Sequence, residues 1–354
     1  MALPEEYRKL PRSETFERIR AAKQTLGGDV FILGHYYQSD DVIQFADLRG
    51  DSLELSRAAA AQKQARYIVF CGVSFMAETA AMLCEPYQKV LLPAQEAACP
   101  MALMADVDDA QIAWDALVAA WGAGAVLPIT YQNSSAELKA FCGRRGGAVC
   151  TSANAGRVFK WAFDQGKRIL FFPDEWLGTN TALALGLRPA EIAVWEPSLP
   201  AGGEPDLSQA RVVAWKGYCH VHTDFTVDQV TEARRRYPNA IVIVHPECPV
   251  PVVQASDMNG STSFILKQVQ KAPAGAVFFI GTECNMVDRL AKENPDKTVL
   301  PLTRSFCHSM ARTTPAHLLY TLERLLAGEL VGLVTVPDEI RHWANVALER
   351  MLSL

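Results

Sequence analysis

Short apolar runs recur along the chain, and each ends at a polar residue, a glycine or a proline. Patterns with helical spacing follow most of these runs, as βαβ units require. Within the runs the residues are nearly continuously apolar and do not alternate, which is typical of parallel strands buried on both faces. The pattern therefore predicts an α/β fold with parallel sheets.

The apolar runs fall into three similar sets. A spacing of roughly 80–100 residues between sets is too long for a solenoid and suits three small domains. Tyr37-Gln38 and Tyr131-Gln132 occupy the same place in the first two sets, which favours a repeat over the unrelated runs of any α/β protein. The runs are residues 30–33, 67–70 and 90–93, then 125–129, 148–149 and 169–172, then 212–215, 240–244 and 276–280.

The three sets predict domain limits. We expect α/β repeats at residues 15–105, 106–200 and 206–300, followed by a C-terminal part at 301–354. A stretch rich in proline and glycine at 199–205 predicts a linker, and a less distinct one is expected near 106–109. In the C-terminal part, residues 315–330 and 338–352 have the pattern of amphipathic helices, with prolines at or just before their starts.

Titratable side chains concentrate at three of the predicted strand ends. Ligands of open α/β sheets bind beyond the carboxyl ends of the strands, and a histidine near a carboxylate suits proton transfer at neutral pH. Taken singly, each histidine is more often a hydrogen-bonded structural residue than a catalyst, but four of the seven histidines lie in these three segments. The residues are His35 and Tyr37 after the first run, His220 and His222 after residues 212–215, and His245 and Glu247 after residues 240–244.

Hydroxyl side chains stand near the start of a predicted helix in each set: Ser52, Ser152, and the pair Ser261 and Thr262. Helix N-termini bind carboxylates and phosphates, although serine and threonine there are also ordinary N-caps. One such site per repeat, facing a shared centre, indicates a small substrate with several anionic groups. The sequence has no Walker motif and no GxGxxG, so nucleotide binding has no support.

The composition and charge of the chain argue against nucleic-acid and membrane partners. Hydrophobic residues make up 49% of the chain and charged residues 21%, the mix of a packed protein. A net charge of −5 without a long lysine and arginine block gives no reason to expect nucleic acid as a partner. No apolar run approaches the ~18–20 residues of a membrane span, and residues 1–6 do not resemble a signal peptide. We therefore expect a cytoplasmic protein with no membrane partner.

Nine cysteines are a high count for such a chain. Because the number is odd and secretion has no support, a disulfide framework is not expected. No CxxC pair occurs, which removes the usual signatures of zinc fingers, thioredoxins and ferredoxins. A metal site would therefore have to be assembled from single cysteines far apart in the sequence, while buried thiols otherwise behave as small hydrophobic residues.

A series of motifs, in order along most of the chain, resembles the quinolinate synthase family. One short motif would be weak, but eight in the family's order, from about residue 15 to 350, are a specific signal. They are 34–38 (Gly-His-Tyr-Tyr-Gln), 50–55 (Gly-Asp-Ser-Leu-Glu-Leu), 75–79 (Phe-Met-Ala-Glu-Thr), 99–102 (Cys-Pro-Met-Ala), 150–155 (Cys-Thr-Ser-Ala-Asn-Ala), 244–249 (Val-His-Pro-Glu-Cys-Pro), 260–262 (Gly-Ser-Thr) and 281–283 (Gly-Thr-Glu).

The resemblance implies three α/β domains related by a pseudo-threefold axis around a central four-iron four-sulfur cluster. On this match the ligands are Cys99, Cys219 and Cys307, which leaves one iron open. His220 follows Cys219 where proline or isoleucine is usual in the family, and the CxxCxxC run that some relatives carry near Cys307 is absent here. The other six cysteines match no ligand position.

The resemblance also implies the reaction. Iminoaspartate and dihydroxyacetone phosphate condense to quinolinate with loss of phosphate and two waters, in de novo NAD biosynthesis. The cluster would act as a Lewis acid, and the enzyme that oxidises L-aspartate would be a transient partner. By position, the proton-transfer candidates are Tyr37, Glu247, His35 and His222. The substrate-binding candidates are His35, Ser52, Tyr131, Asn133, Ser152, His245, Glu247, Ser261 and Thr262.

Two other classes remain open from the residues themselves. A zinc-dependent aldolase or hydrolase would use the same histidines with one cysteine. A non-catalytic binding protein for a small anion would need no proton-transfer residues, so the segments around Tyr37 and Glu247 argue against it. Iron and sulfide in near-equal amounts distinguish the cluster enzyme from the zinc enzyme.

Overall fold

The computed structural model describes residues 3–354. Its strands are β1 (Val30–His35), β2 (Leu48–Gly50), β3 (Tyr67–Cys71), β4 (Lys89–Leu91), β5 (Val126–Tyr131), β6 (Ala148–Cys150), β7 (Arg168–Phe172), β8 (Ile192–Trp195), β9 (Val212–Trp215), β10 (Ile241–Val244), β11 (Met258–Asn259), β12 (Val277–Gly281), β13 (Thr298–Pro301) and β14 (Leu333–Val334).

Its helices are α1 (Glu5–Arg8), α2 (Arg12–Leu26), α3 (Asp40–Ile43), α4 (Ser52–Ala61), α5 (Ser74–Leu83), α6 (Val107–Trp121), α7 (Ala136–Arg144), α8 (Ala155–Asp164), α9 (Glu175–Ala184), α10 (His220–Thr223), α11 (Val227–Arg236), α12 (Val250–Ala255), α13 (Thr262–Lys271), α14 (Cys284–Glu293), α15 (Pro315–Leu326) and α16 (Asp338–Ser353). Short 3₁₀ turns occupy Gly27–Asp29, Met101–Leu103, Pro189–Glu191, Pro200–Gly203 and Met310–Arg312.

The chain divides into two compact units. The first runs from the start of the described chain to Cys99 and resumes from Cys307 to Pro337. Its sheet, the first sheet, has the order β14-β4-β3-β1-β2, and every pairing is parallel except that of β14 with β4. Leu318, Leu322 and Leu325 of α15 pack with residues of α2, β1 and β3 in its hydrophobic core, so the returning segment completes this unit.

The second unit comprises Pro100–Phe306 and Asp338–Leu354 and contains two sheets. The second sheet has the order β6-β5-β7-β9-β8 and the third sheet β11-β10-β12-β13, with all pairings parallel. Strands such as β7 and β9 are buried along nearly their whole length, as continuous apolar runs predict. The predicted α/β class with parallel sheets is confirmed.

Several local expectations need correction. The run at 212–215, placed by sequence in the third repeat, forms β9 and pairs with β7 and β8 in the second sheet. The expected linker near 106–109 is instead the start of α6, with Asp106 as its N-cap: its side chain accepts a hydrogen bond from the Asp109 N–H at 2.8 Å. The first error arises because strand pairing depends on neighbours that a single segment does not show. The second is a misread local signal, since aspartate is a preferred N-cap.

The C-terminal helices form as predicted at 315–330 and 338–352, but the first belongs to the first unit and the second to the second unit. Helix α15 covers the first sheet, and α16 packs against α7 and β6 of the second unit. The Asn154 amide donates to the Met351 carbonyl at 3.1 Å, which fixes the end of α16. No helix among residues 3–354 has the length and apolar character needed to cross a membrane.

The contact between α7 and α16 predicts a large effect of one methyl group. A Cβ added at Gly143 would lie 1.9 Å from the Trp343 carbonyl oxygen, a backbone atom. Replacing glycine by alanine within a helix ordinarily raises the free energy of unfolding by about 1 kcal/mol. Overpacking against rigid backbone lowers it by about 1–3 kcal/mol, and we expect this second effect to be the larger one. Gly143→Ala should therefore lower the free energy of unfolding, measured by urea denaturation.

Gly124→Ala is the matched control, because a Cβ there meets no atom within 4 Å and the residue lies in a turn. We expect its effect to stay within about 0.5 kcal/mol, as for most surface substitutions. Equal unfolding free energies for the two variants would show that α16 can move away from α7 at little cost.

Candidate functional site

In the second unit, the site residues predicted from sequence lie at the carboxyl ends of parallel strands. Tyr131 ends β5, Glu247 follows β10, and Thr282 follows β12. His222 lies in α10, the short helix after β9. Since parallel strands of an open sheet end at one edge, this is the position where α/β proteins collect polar ligand-binding groups.

Glu247 is the centre of this group and is almost completely buried, with 2% of its surface exposed. The Tyr131 hydroxyl donates to Glu247 Oε1 at 2.6 Å. His222 Nδ1 lies 2.8 Å from Glu247 Oε2, so each carboxylate oxygen has a strong donor. A buried carboxylate is stable only when its oxygens are bonded in this way, because the lost hydration must be replaced.

Two histidine rings flank the carboxylate. His222 and His245 stack with ring centroids 4.3 Å apart and an angle of 16° between planes. His222 Nε2 lies 3.1 Å from Thr282 Oγ1, and His245 Nε2 lies 3.1 Å from Ser152 Oγ. We call these residues the Glu247 network: Glu247, Tyr131, His222, His245, Ser152 and Thr282.

A backbone contact determines which nitrogen of the neutral His245 ring carries the proton. The Glu247 N–H donates to His245 Nδ1 at 3.4 Å, so that nitrogen carries the lone pair. In a neutral ring the proton is then on Nε2, which faces the Ser152 hydroxyl. Ser152 is thereby held as an acceptor toward His245, with its own O–H left to donate elsewhere.

Electrostatics keep Glu247 ionised. Burial by itself raises the pKa of this carboxyl, whereas the adjacent imidazoles of His245 and His222 lower it. Together with the hydrogen bonds from His222 and Tyr131, they bring the pKa of Glu247 down to about 2. Glu247 is therefore ionised at neutral pH, and each of its oxygens has a hydrogen-bond donor.

A second buried carboxyl, Asp174, lies close enough to Glu247 for the two charges to interact. Asp174 is completely buried, its Oδ1 accepts from the Leu177 N–H at 2.5 Å, and its Oδ2 has no hydrogen-bond partner among the described residues. Burial and the charge of Glu247 raise the pKa of Asp174 well above its usual value. Of the two carboxyls, Glu247 ionises first and Asp174 retains its proton longer.

Asn180 of α9 holds the turn that carries Glu247. Its amide nitrogen donates to the carbonyl of Pro246 at 2.9 Å and to that of Cys248 at 2.8 Å, on either side of Glu247. The side chain is buried, so these two carbonyls have this donor in place of water. Helix α9 follows β7 of the second sheet, and its Asn180 thus fixes the backbone of the turn after β10 that carries Glu247.

In the first unit, His35 and Tyr37 lie together at the end of β1. The Tyr37 N–H donates to His35 Nδ1 at 3.1 Å, and the two rings meet edge to face with centroids 4.8 Å apart. Both residues are buried. The backbone therefore orients the His35 imidazole beside the Tyr37 phenol ring.

The three predicted helix starts are less uniform than expected. At α4 the cap is Asp51, whose Oδ1 accepts from the N–H groups of Leu53 and Glu54, so Ser52 is the first helical residue. At α13, Ser261 Oγ accepts from the Phe264 N–H at 3.3 Å, and buried Thr262 comes next. At the second site, Ser152 lies before α8 and bonds to His245.

Asn133 follows β5 and stays outside the hydrogen bonds of the Glu247 network. Its Oδ1 is buried and has no partner among residues 3–354. An unsatisfied acceptor in such a position is costly, so it is suited to accept a hydrogen bond from a ligand.

Burial divides the nine cysteines into two groups. Cys99, Cys219 and Cys307 are partly exposed, and the other six are buried. Burial raises the pKa of the Cys71 thiol to about 12 and raises the pKa values of Cys142 and Cys150 further. Because thiolates are the metal-binding form, the buried thiols are poor ligands.

Hydrogen bonds within each unit hold the segments that carry these three cysteines. In the first unit, Ser309 Oγ donates to the Ala98 carbonyl at 2.6 Å, which joins the segments next to Cys307 and Cys99. In the second, Trp215 Nε1 donates to the Met104 carbonyl at 2.6 Å, and Ser305 Oγ donates to the Val221 carbonyl at 2.8 Å.

Among the described residues, Cys219, His222 and Glu247 each offer one ligand atom, and these atoms lie within 4.8 Å of one another. Sulfur, nitrogen and oxygen donors at such distances are a set that transition metals bind. This is the one such group of three found in residues 3–354.

Sequence reasoning missed three residues of the site. Thr282 lies in one of the family motifs, but the motif indicates no role for it, and the sequence gives Asp174 and Asn180 no assigned role. Asp174 follows β7 at the same edge as Tyr131, so its position was a usable signal. Asn180 lies within α9, and nothing local marks a helical asparagine that contacts a distant turn.

Comparison with known proteins gives one family. The sequence profile of the family described as Quinolinate synthetase A protein matches residues 17–353. A quinolinate synthase of Corynebacterium glutamicum is 50% identical over 356 aligned positions, which cover 99% of this chain and 90% of that protein.

Two further relatives agree with this match. A quinolinate synthase of Nocardioides sp. is 50% identical over 96% of this chain and 89% of its own length. A third from Geobacillus kaustophilus is 48% identical over 99% of this chain and 96% of its own length. The similarity therefore extends over nearly the whole of each protein.

The Asn180 contacts predict that this side chain stabilises the Glu247 turn. Asn180→Leu keeps the approximate volume but leaves the carbonyls of Pro246 and Cys248 without their donor. A buried acceptor left unsatisfied costs about 1–3 kcal/mol, and we expect a loss of that size in urea unfolding.

Thr179→Val serves as the control, because Thr179 is the preceding residue of α9 and is only half-buried. It should change the free energy of unfolding by less than about 0.5 kcal/mol. An equal loss in both variants would mean that α9 tolerates neither change and that the Asn180 contacts are incidental.

Proposed function

This chain belongs to the quinolinate synthetase A family, and we propose that it is a quinolinate synthase that condenses iminoaspartate with dihydroxyacetone phosphate. The reaction releases phosphate and two waters and supplies quinolinate for de novo NAD biosynthesis. The match over residues 17–353 supports the enzyme class. The observation that carries the reaction type is the buried carboxylate of Glu247, held by Tyr131 and His222.

The proposal includes the setting of the enzyme. It acts in the cytoplasm on small molecules and has no nucleic-acid partner. Because iminoaspartate is unstable in water, transient contact with the enzyme that oxidises L-aspartate would deliver it before hydrolysis. The three sheets support an arrangement of three α/β repeats around a pseudo-threefold axis. The proposed limits are near residues 15–105, 106–200 and 206–300, with the C-terminal part at 301–354, except that β9 (Val212–Trp215) belongs to the second sheet.

We assign a four-iron four-sulfur cluster to Cys99, Cys219 and Cys307. The fit rests on the donor set: these are the three partly exposed cysteines, and the remaining six are buried. A cluster bound by three thiolates keeps one iron without a protein ligand, and it supplies Lewis-acid polarisation of a carbonyl or hydroxyl oxygen.

The chain's own residues supply the proton transfers. Condensation, loss of water and tautomerisation need groups that accept and return protons but no net change of oxidation state. We assign the base to Glu247 because Tyr131 and His222 orient its two oxygens. His222 is then the group through which a proton reaches or leaves Glu247. Tyr37, beside His35, is the second acid–base residue.

Substrate polar groups are assigned to side chains that retain hydrogen-bonding capacity. Ser152 is held by His245, and Asn133 presents a buried acceptor. Ser261 and Thr262 start α13, where backbone N–H groups and the helix dipole favour an anion. Ser52 has the same position in α4. Carboxylate and phosphate groups of the substrates match the hydroxyl and N–H donors, and a substrate hydroxyl or amino group matches the acceptor of Asn133.

The cluster assignment predicts the metal content of cysteine variants. After anaerobic purification, the protein should contain about four iron and four sulfide per chain. Cys99→Ser, Cys219→Ser and Cys307→Ser should each lose most of both, because an alkoxide is a poor substitute for a thiolate ligand. Iron, sulfide and visible absorption are measured on the same samples.

Cys84→Ser and Cys284→Ser are the matched controls, since both residues are buried. They should keep their iron and sulfide. Full iron and normal colour in Cys219→Ser would remove that ligand. Quinolinate formation by protein that contains about one zinc and no iron would instead identify the zinc-dependent enzyme class.

The acid–base assignment predicts a separation of turnover from binding. Glu247→Gln and Tyr37→Phe should retain the cluster and bind quinolinate, while turnover falls by ~10²–10⁴, the usual range for loss of a general acid or base. Thr262→Ala should instead weaken product binding by about 1–3 kcal/mol, because an anionic group loses a hydrogen bond. Anaerobic rates and product dissociation constants decide between the two effects.

Glu349→Gln and Tyr237→Phe make the same chemical changes at exposed positions and should leave turnover unchanged. Near-normal turnover in Glu247→Gln would exclude Glu247 as the base, and the role would pass to His222.

A further inference from the structure

Cys219, His222 and Glu247 form a metal-ligand set that is complete within the second unit. One ligand atom of each lies within 4.8 Å of the others. In tetrahedral zinc sites, bond lengths of about 2.0–2.3 Å place ligand atoms about 3.4–3.6 Å apart. The upper limit of 4.8 Å for the observed set exceeds these separations by about 1.2–1.4 Å.

The hydrogen bonds around this set are those of a supported metal site. Metal-binding histidines bond through their second ring nitrogen to a neighbouring group, which fixes the ring. His222 Nδ1 faces Glu247, and Nε2 lies 3.1 Å from Thr282 Oγ1. The Tyr131 hydroxyl holds Glu247 Oε1 and so directs Oε2 toward His222. Both buried ligands are oriented before any ion arrives.

Access is provided by the third ligand. Cys219 is partly exposed, whereas His222 and Glu247 are buried. An ion can therefore meet the thiol first and then move inward to the imidazole and carboxylate. Three protein ligands of this kind leave a fourth position for water.

We propose that protein lacking the iron–sulfur cluster binds one divalent ion of the zinc class through Cys219, His222 and Glu247. The soft thiolate and the imidazole select zinc or cobalt over magnesium and calcium, which prefer oxygen ligands only. Ion binding also has a consequence that rests on the proposed function: if Cys219 is a cluster ligand, the ion and the cluster compete for its thiolate. Zinc then delays cluster assembly.

Cobalt titration of the cluster-free, reduced protein tests the site without relying on activity. One Co²⁺ per chain should bind, with a thiolate-to-cobalt charge-transfer band and the intense visible bands of four-coordinate cobalt. Cys219→Ser should lose the charge-transfer band. Thr282→Val leaves all three ligands in place and should weaken binding by about 10–100-fold, the usual effect of removing an outer-shell partner. His222→Gln and Glu247→Gln should weaken it more.

Cys99→Ser and Cys307→Ser distinguish this site from the cysteines as a group, and both should bind cobalt as the parent protein does. Loss of the cobalt bands in either of these variants, or parent-like affinity in His222→Gln and Glu247→Gln, would overturn the proposal. Failure of the proposed function would be recognised by a different result, namely a full iron content in Cys219→Ser. Preloading with zinc should slow cluster reconstitution, and a chelator should restore the rate; reconstitution at an unchanged rate would exclude the competition.

Discussion

An ionised carboxylate in a nearly water-free position is the constraint on which the site depends. Glu247 has lost its hydration, and an unpaired charge there would cost several kcal/mol. Hydrogen bonds from Tyr131 and His222 compensate for that loss, and the His245 imidazole stacks on His222 beside them. Each comes from a different strand end or helix, so the second and third sheets must be correctly folded before the carboxylate is stable. The chemical group and the fold of the second unit therefore depend on each other.

The same constraint explains what a sequence can and cannot indicate here. His222, His245 and Glu247 were found because they follow continuous apolar runs, and the strand-end position is a local property. Asn180 supports the same turn from within α9, and Thr282 bonds to His222 through tertiary contact. The assignment of β9 failed for a related reason: an apolar run predicts a strand but does not identify its partners. Family resemblance supplied the cluster ligands, which spacing alone left open.

Exposure and proton affinity sort the cysteines by role. A thiol enclosed by apolar neighbours holds its proton, as the raised pKa of Cys71 shows, and packs as a small hydrophobic residue. Cys219 lies at the surface end of a group whose inner members are His222 and Glu247. If the proposed cluster and the proposed zinc-class ion both use this thiol, the order in which the metals reach it determines which of them occupies it.

The chain path through the first unit has a consequence for biosynthesis. Strand β4 is paired on one side by β3 and on the other by β14, with Leu333 opposite Leu91, and α15 supplies much of the hydrophobic core. A ribosome synthesises the whole second-unit segment Pro100–Phe306 between these partners. The N-terminal strands must therefore remain with an open edge and an uncovered apolar face until late in translation. Nascent chains of this topology are natural clients of chaperones that bind exposed apolar segments, and truncated translation products are exposed to aggregation and proteolysis.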